Sequence, residues 1–294
     1  MLKFLSSLIL FGTNGIVAAQ ISLPSYEIVV LRTLLGSLLL GGIFLFCRKR
    51  SNRPSSRRGL ALIILSGACL GISWMFLFDA YIQIGVGTST LIYYCAPVVV
   101  MALSPLLFKE RLTRAALVGF AFVLVGIVVV NGTGGQDGRS GPGIASAELS
   151  ALFFVAMVVF SKKAEGVDGL KRSLVQIVAA FVVSAVATGL LHGFSMQVQP
   201  ADVIPILVLG LVNTGLGSYL YFSSLGALKA QTIAVCGYLE PVSAVVMASL
   251  FLGEVMSPLQ VLGAVMVLAG ATFGELAPQL SRRMHRHPVQ APVH

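Results

Sequence analysis

Two ionisable residues lie inside apolar stretches of this chain. Glu240 stands within GYLEPVSAVVMASLFLGE (residues 237–254), and Arg32 lies in the first part of the apolar segment 27–46. A charge at the centre of a hydrocarbon layer costs about 2.5–3.5 kcal/mol on insertion scales, so each residue needs a partner or a wet surface. Arg32 could bind a carboxylate, and Glu240 could bind an ammonium group or exchange a proton.

Both residues also have a structural interpretation. Arg32 could form an ion pair with Glu27 or Asp79, which have a similar predicted depth, or it could extend to the membrane surface. A protonated Glu240 could donate to backbone carbonyl groups that Pro241 leaves without a partner. At the level of the sequence, the structural and functional interpretations of both residues stay open.

The composition indicates the kind of element that must position these residues. The 294-residue chain is 56% hydrophobic and only 11% charged, which is too apolar for a soluble domain of this length. The pattern predicts an all-α polytopic membrane protein, because about 20 apolar residues span a bilayer as a helix. Ten spans are predicted, at 4–21, 27–46, 59–82, 86–108, 114–131, 144–161, 172–191, 202–222, 230–252 and 257–277.

The basic residues predict the orientation of these spans. With the N-terminus inside, all but two of the 20 Lys and Arg residues fall in cytoplasmic segments, the exceptions being Arg32 and Arg139. This asymmetry is the positive-inside pattern, so both termini are expected in the cytoplasm, in a bacterial inner membrane. The net charge of +9 is distributed in this way between apolar runs, so nucleic acid is not an expected partner.

The sequence repeats at a constant offset. Tyr94 matches Tyr238 and Glu110 matches Glu254, each 144 residues later, and further identities follow the same offset without a gap. The predicted units are a first five-helix repeat at 1–131, a connecting loop at 132–143, a second repeat at 144–277 and a basic tail at 278–294. Because each repeat holds an odd number of spans, the second must be inverted relative to the first, an arrangement typical of secondary transporters.

Two related stretches identify a family resemblance. The chain resembles the EamA-domain branch of the drug/metabolite transporter superfamily in two stretches. They are YLEPVSAVVMASLFLGEVMSPLQVLGAVMVLAGATFGEL (238–276) and YYCAPVVVMALSPLLFKERLTRAALVGFAFVLVGIVVV (93–130). The resemblance implies a ten-helix basket around a central cavity, which the fifth and tenth helices do not line. It also implies transport of amino acids or other small metabolites, whereas sister families carry nucleotide sugars or triose phosphates.

Residues that differ between the repeats are the better candidates for solute contact. In the third span, Trp74, Phe78 and Tyr81 share one helix face with Gly71, and an aromatic face suits an apolar side chain. Tyr81 is expected in the interfacial aromatic belt instead. The predicted binding set is Asn14, Arg32, Trp74, Phe78, Tyr94, Asn213, Tyr219, Tyr238 and Glu240.

Residues that match between the repeats are expected to build the fold. Pro97 and Pro241 interrupt their helices and are predicted hinges. Glu110 and Glu254 lie at helix ends, where capping or interfacial pairing is expected. Four matching glycines allow close helix packing, either within the chain or across a homodimer: Gly119, Gly126, Gly263 and Gly270.

These observations favour a secondary transporter, expected to be an exporter, that moves small metabolites, above all amino acids, by alternating access. The alternative is a carrier of phosphate-bearing solutes, such as a nucleotide-sugar transporter or a lipid-linked flippase, which would need several basic residues in the cavity. The buried ionisable residues are too scattered for an enzyme, and no cofactor is expected. The four cysteines form no CxxC pair, so neither a disulfide framework nor a metal site is expected. The expected partners are the solute, the lipid bilayer and a coupling proton.

Overall fold

The computed structural model describes the whole chain except residues 48–55, 97–98, 101–102, 104–113, 133–140, 165, 168, 226–236, 238, 255 and 285–294. The described part is helical and holds no strand. The helices of the first half are α1 (Leu2–Gly12), α2 (Asn14–Ala18), α3 (Ser25–Cys47), α4 (Arg57–Ile84), α5 (Val86–Tyr93) and α6 (Arg114–Gly132).

The second half begins with two long helices and continues with an irregular one. These helices are α7 (Gly141–Lys163) and α8 (Gly169–Leu191). Residues 200–225 then form a 3-10 turn (Pro200–Asp202), α9 (Val203–Leu207), a π-helical segment (Val208–Leu216) and α10 (Gly217–Leu225). The last two helices are α11 (Leu239–Leu252) and α12 (Pro258–Met284).

Five helical stretches are long and apolar enough to cross a membrane. They are Ser25–Phe46, Arg57–Ile84, Gly141–Lys163, Gly169–Leu191 and Pro200–Tyr221. Shorter apolar helical stretches occur at Leu2–Ala18, Leu117–Gly126, Leu239–Leu252 and Val261–Gly270. The expectation of an all-helical membrane protein is therefore confirmed, whereas the count of ten spans and the predicted domain bounds stay predictions.

The junction between α4 and α5 explains one of the matched glutamates. Gly85 has a φ of 82°, a conformation that favours glycine, and it separates the two helices. The amide groups of Val86 and Gly87 donate to the Glu254 carboxylate at 2.7 and 2.9 Å. Glu254 therefore caps the N-terminus of α5, where a negative charge is favourable, which confirms its predicted capping role. Glu110, its counterpart in the repeat, lies outside the described residues.

Small residues permit close contacts in the centre of the bundle. A Cβ atom on Gly67 would lie 2.4 Å from the Gln176 carbonyl oxygen, and one on Gly71 would lie 2.7 Å from that of Ala180. Helix α4 thus packs its backbone directly against α8, and it also packs along α7. Helix α4 also contributes to the wall of the site described below.

The four matched glycines join α6 to α12 within the chain. A Cβ atom on Gly126 would lie 2.8 Å from the carbonyl oxygen of Gly263, and one on Gly270 would lie 2.8 Å from that of Gly119. Both contacts are with backbone atoms, so the spacing of the two helices depends on glycine. We call this contact the α6–α12 seam. It decides between the two packing alternatives in favour of packing within the chain.

Candidate solute-binding site

A small cavity lies where α1, α2, α3, α4, α5 and α11 meet. Its volume is about 30 Å³, measured as the space that water centres can occupy. It is lined by Phe11, Gly12, Asn14, Arg32, Trp74, Leu77, Phe78, Tyr81, Thr90, Tyr93, Tyr94, Glu240 and Ala244. We call it the inner cavity. Six of the nine residues of the predicted binding set line it, although they come from four separate helices and from the turn that follows α5.

Arg32 is held in this cavity by polar and aromatic contacts. Its side chain is only 2% exposed, so it does not extend to a membrane surface. Arg32 Nε donates to Thr214 Oγ1 at 3.0 Å, and Nη2 donates to Asn14 Oδ1 at 3.5 Å. The guanidinium carbon lies 4.3 Å from the centre of the Trp74 ring and 5.0 Å from that of Phe78. Aromatic faces attract a cation at such distances.

The carboxylates expected to pair with Arg32 have other partners. Glu27 Oε1 accepts from the Ser195 amide at 2.7 Å, the Ser195 hydroxyl at 2.9 Å and the Met196 amide at 3.2 Å. Asp79 Oδ2 accepts from Gln83 and Ser146, both at 2.6 Å. The interpretation of Arg32 as one half of a structural ion pair with Glu27 or Asp79 is therefore wrong for the described residues, because both carboxylates bind other polar groups.

The π-helical segment supplies the side chains that support Arg32. Thr214 Oγ1 donates to the Leu209 carbonyl at 2.8 Å, five residues earlier, and accepts from Arg32. Asn213 Nδ2 lies within hydrogen-bonding distance of Leu10 O (3.0 Å) and Asn14 Oδ1 (3.1 Å). Short π-helical segments often occur at functional sites. Here the wider turn places two polar side chains behind the cavity wall.

Glu240 lines the same cavity in the first turn of α11. Tyr94 is within hydrogen-bonding reach of its carboxyl group. Within the described part of the chain, no ion pair of 4.0 Å or less joins Glu240 to Arg32, although each lies in the other's electrostatic field. The cavity therefore holds a basic and an acidic side chain without a direct ion pair between them.

Aromatic side chains form most of the remaining cavity wall. The rings of Phe78 and Tyr81 lie 5.2 Å apart, and those of Tyr93 and Tyr94 lie 5.4 Å apart with an edge-to-face angle of 79°. The expectation that Tyr81 belongs to an interfacial belt is wrong, because its side chain lines the cavity and packs against Phe78. Helical spacing had already put Tyr81 on the Trp74 face, and the inward rotation of that face decides its environment.

The remaining predicted residues lie elsewhere or outside the described chain. Asn213 is 1% exposed and lies behind Asn14, so it supports the cavity without lining it. Tyr219 packs beside Trp74 in a cluster around Leu40, Leu70 and Ile177. Pro241 is buried in the first turn of α11, and its hinge role stays a prediction. Tyr238 and Pro97 are outside the described residues.

Several cavity residues were not in the predicted set. Those with polar or aromatic side chains are Phe11, Tyr81, Thr90 and Tyr93, and Thr214 contacts Arg32 without lining the cavity. At the 144-residue offset these five residues stand opposite Val155, Leu225, Ala234, Gly237 and Leu70. Each is thus a polar or aromatic residue that breaks the repeat. The same criterion that selected Trp74 and Asn213 would have found them.

Taken together, fold and site define a polytopic helical membrane protein with a small charged and aromatic cavity enclosed by its helices. The sequence model of the EamA-like transporter family matches residues 1–132 and again 141–273. The chain belongs to the EamA-like transporter family.

Individual relatives agree with this assignment. The chain is 26% identical to "Uncharacterized transporter YxxF" of Bacillus subtilis, over 99% of this chain and 92% of the relative. It is 28% identical to a "Probable amino-acid metabolite efflux pump" of Salmonella typhimurium, over 73% of this chain and 77% of that protein. A solved crystal structure with 19% identity gives a TM-score of 0.67 over 94% of this chain and 98% of the other, which shows likeness of fold.

Proposed function

We propose that this protein is a secondary transporter that exports small amino-group-bearing carboxylates, above all α-amino acids, by alternating access. The inner cavity carries this proposal, since it presents Arg32 and Glu240 together without an ion pair between them. A zwitterion offers a carboxylate to the first and an ammonium group to the second. The name of the Salmonella typhimurium relative, a probable amino-acid metabolite efflux pump, points to the same class of solute.

Arg32 is suited to the carboxylate. A guanidinium group has five N–H donors in a planar fork that matches a carboxylate. Thr214 and Asn14 accept from Nε and Nη2 only. Trp74 and Phe78 fix the plane of the fork, so the remaining donors are oriented before the solute arrives.

Glu240 is suited to couple transport to protons. A carboxyl group can hold either a proton or an ammonium group, and the two compete for the same oxygen atoms. Binding of the solute on one side of the membrane then releases a proton, and release of the solute on the other side takes one up. This competition gives exchange of the solute for a proton without any further ionisable residue.

The packing of the helices supports two inverted five-helix repeats. Helix α1 packs against α11 of the predicted ninth span, and α7, the counterpart of α1, packs against α5 of the matching fourth span. Helix α4 packs against α8, and their counterparts, the π-helical segment and α3, do the same. The α6–α12 seam joins one helix of each repeat to its own counterpart. Such a pattern is expected when a two-fold axis relates the halves, with both termini at the cytoplasmic face.

Counterflow in proteoliposomes tests the proposal. Vesicles loaded with unlabelled alanine, leucine, phenylalanine or a nucleotide sugar would be placed in a trace of the labelled solute. We expect uptake with the amino acids in wild type, loss of uptake in Arg32→Gln, and unchanged uptake in Arg114→Gln, a matched change at an exposed position of α6. Movement of the nucleotide sugar without any amino acid would show that the solute class is wrong.

A further inference from the structure

The inner cavity is too small to hold a whole amino acid. On the same measure of volume a single water needs about 10–15 Å³, so 30 Å³ holds about two waters. That is fewer positions than the non-hydrogen atoms of the smallest amino acid. Only part of such a solute can therefore lie in the inner cavity, and the rest must extend into neighbouring space.

A larger cavity adjoins it. This outer cavity has a volume of about 330 Å³, within the range of small-molecule sites. It is lined by Gly15, Ala18, Ala19, Ile21, Leu23, Ile28, Phe78, Tyr81, Ile82, Val86, Leu252 and Glu254. Phe78 and Tyr81 line both cavities, so this pair of rings is the wall that separates them.

The lining of the outer cavity selects for apolar groups. Its lining residues are aliphatic or aromatic apart from Gly15 and Glu254, and none of them is cationic. The Glu254 carboxylate already accepts from the amide groups of Val86 and Gly87. An anionic side chain would therefore lose its hydration there without gaining a cationic partner.

We infer that the outer cavity is the side-chain subsite of the solute, and that it selects amino acids with bulky apolar side chains. The carboxylate and ammonium groups face Arg32 and Glu240 at the inner cavity, and the side chain extends past the Phe78 and Tyr81 rings into the outer cavity. Ala19 sets the size of this subsite, since it is a small, exposed residue of the lining at the end of α2. This inference rests on the proposed transport of amino acids.

Ala19→Phe tests the inference by filling the subsite. Wild type and variant would be assayed for exchange of labelled alanine, leucine and phenylalanine. We expect the rate for leucine and phenylalanine, relative to that for alanine, to fall at least tenfold, because one methylene in an apolar pocket changes selectivity by about 10–200-fold. The matched control is Ala145→Phe, at an exposed position of α7 that lines neither cavity, and it should keep the wild-type ratios.

Leu252→Ala tests the same subsite by enlarging it, and it keeps the inference testable if Ala19→Phe does not fold. Leu252 lines the outer cavity and is half-buried, so truncation adds volume there. We expect the preference to move towards tryptophan and away from leucine. Equal slowing of every amino acid by Ala19→Phe, or unchanged ratios in both variants, would show that the outer cavity is only a passage. Failure of wild type to exchange any amino acid would instead overturn the proposed function.

Discussion

The inner cavity and the α6–α12 seam have opposite relations to the internal repeat. The seam is built from glycines that match at the 144-residue offset, Gly119 with Gly263 and Gly126 with Gly270. The inner cavity is built mainly from residues that differ at that offset, such as Arg32 opposite Gln176 and Glu240 opposite Ala96. Two similar halves need the same backbone contacts on both sides, whereas one asymmetric solute needs different groups on each side.

Two aromatic residues limit this rule. Phe78 and Tyr94 line the inner cavity, yet phenylalanine and tyrosine also stand at the matching positions 222 and 238. An aromatic wall is compatible with either half, because it contributes shape and apolar surface without a charge. A difference between the two repeats therefore distinguishes the charged residues of the cavity from residues that serve packing. It distinguishes the aromatic residues of the cavity only in part.

The largest expected effect is at Arg32. Arg32 is proposed to bind the carboxylate of the solute. Arg32→Gln should therefore remove a charge-assisted contact worth about 1.5–3 kcal/mol, which is a loss of about 10- to 150-fold in apparent affinity. Arg32→Lys keeps the charge but loses the planar stacking on Trp74 and Phe78, so it should be impaired almost as much. The measurement is the half-saturating amino-acid concentration in counterflow. Full activity of Arg32→Lys would show that only the charge matters.

The next effect concerns Glu240. Glu240→Gln keeps a hydrogen-bonding group next to Tyr94 but cannot release a proton, so it should retain part of the exchange while abolishing uptake driven by a pH gradient. Affinity for an α-amino acid should fall roughly tenfold, by the lost charge-assisted contact. Affinity for the corresponding α-hydroxy acid, which lacks the ammonium group, should stay the same. Retention of gradient-driven uptake would return Glu240 to a structural role.

Substitutions in the α6–α12 seam should change the stability of the protein and not its selectivity for solutes. Gly126→Ala places a Cβ atom 2.8 Å from the Gly263 carbonyl oxygen, and overpacking of this kind costs about 1–3 kcal/mol. The matched change Gly42→Ala meets no atom within 4 Å, so it should be neutral or slightly stabilising. Thermal unfolding in detergent compares the two variants. Equal melting temperatures would show that the seam tolerates a wider helix spacing.

The smallest expected effect is at the cap of α5. Glu254→Gln replaces a carboxylate that accepts two backbone hydrogen bonds, and loss of a helix cap costs about 0.5–2 kcal/mol. Because Glu254 matches Glu110 in the repeat, its change should lower the melting temperature without altering the ratio between amino acids. Glu254 lines the outer cavity, so a changed ratio would show that its carboxylate contacts the solute side chain, and the division between matching and differing residues would then fail at this position.

Much of the site could be predicted from local patterns. Arg32 and Glu240 were identifiable because a charge in an apolar segment is costly, and the Trp74 face followed from helical spacing. Their partners could not be predicted. Glu27 was a plausible partner for Arg32 by depth, but it binds Ser195 and Met196, which are 168 and 169 residues away along the chain. Sequence spacing carries no information on such contacts between elements.

The helical membrane class, the internal repeat and the charged residues within apolar segments are all readable from the amino-acid sequence. These properties depend on composition and on the local periodicity of apolar residues. Three further properties are visible only in the folded chain: the side of α4 that faces the inner cavity, the location of the glycine seam within the chain, and the contact of Arg32 with Trp74 and Phe78 without a carboxylate partner. Those outcomes depend on the rotation and approach of separate helices, which are set by packing across the whole bundle.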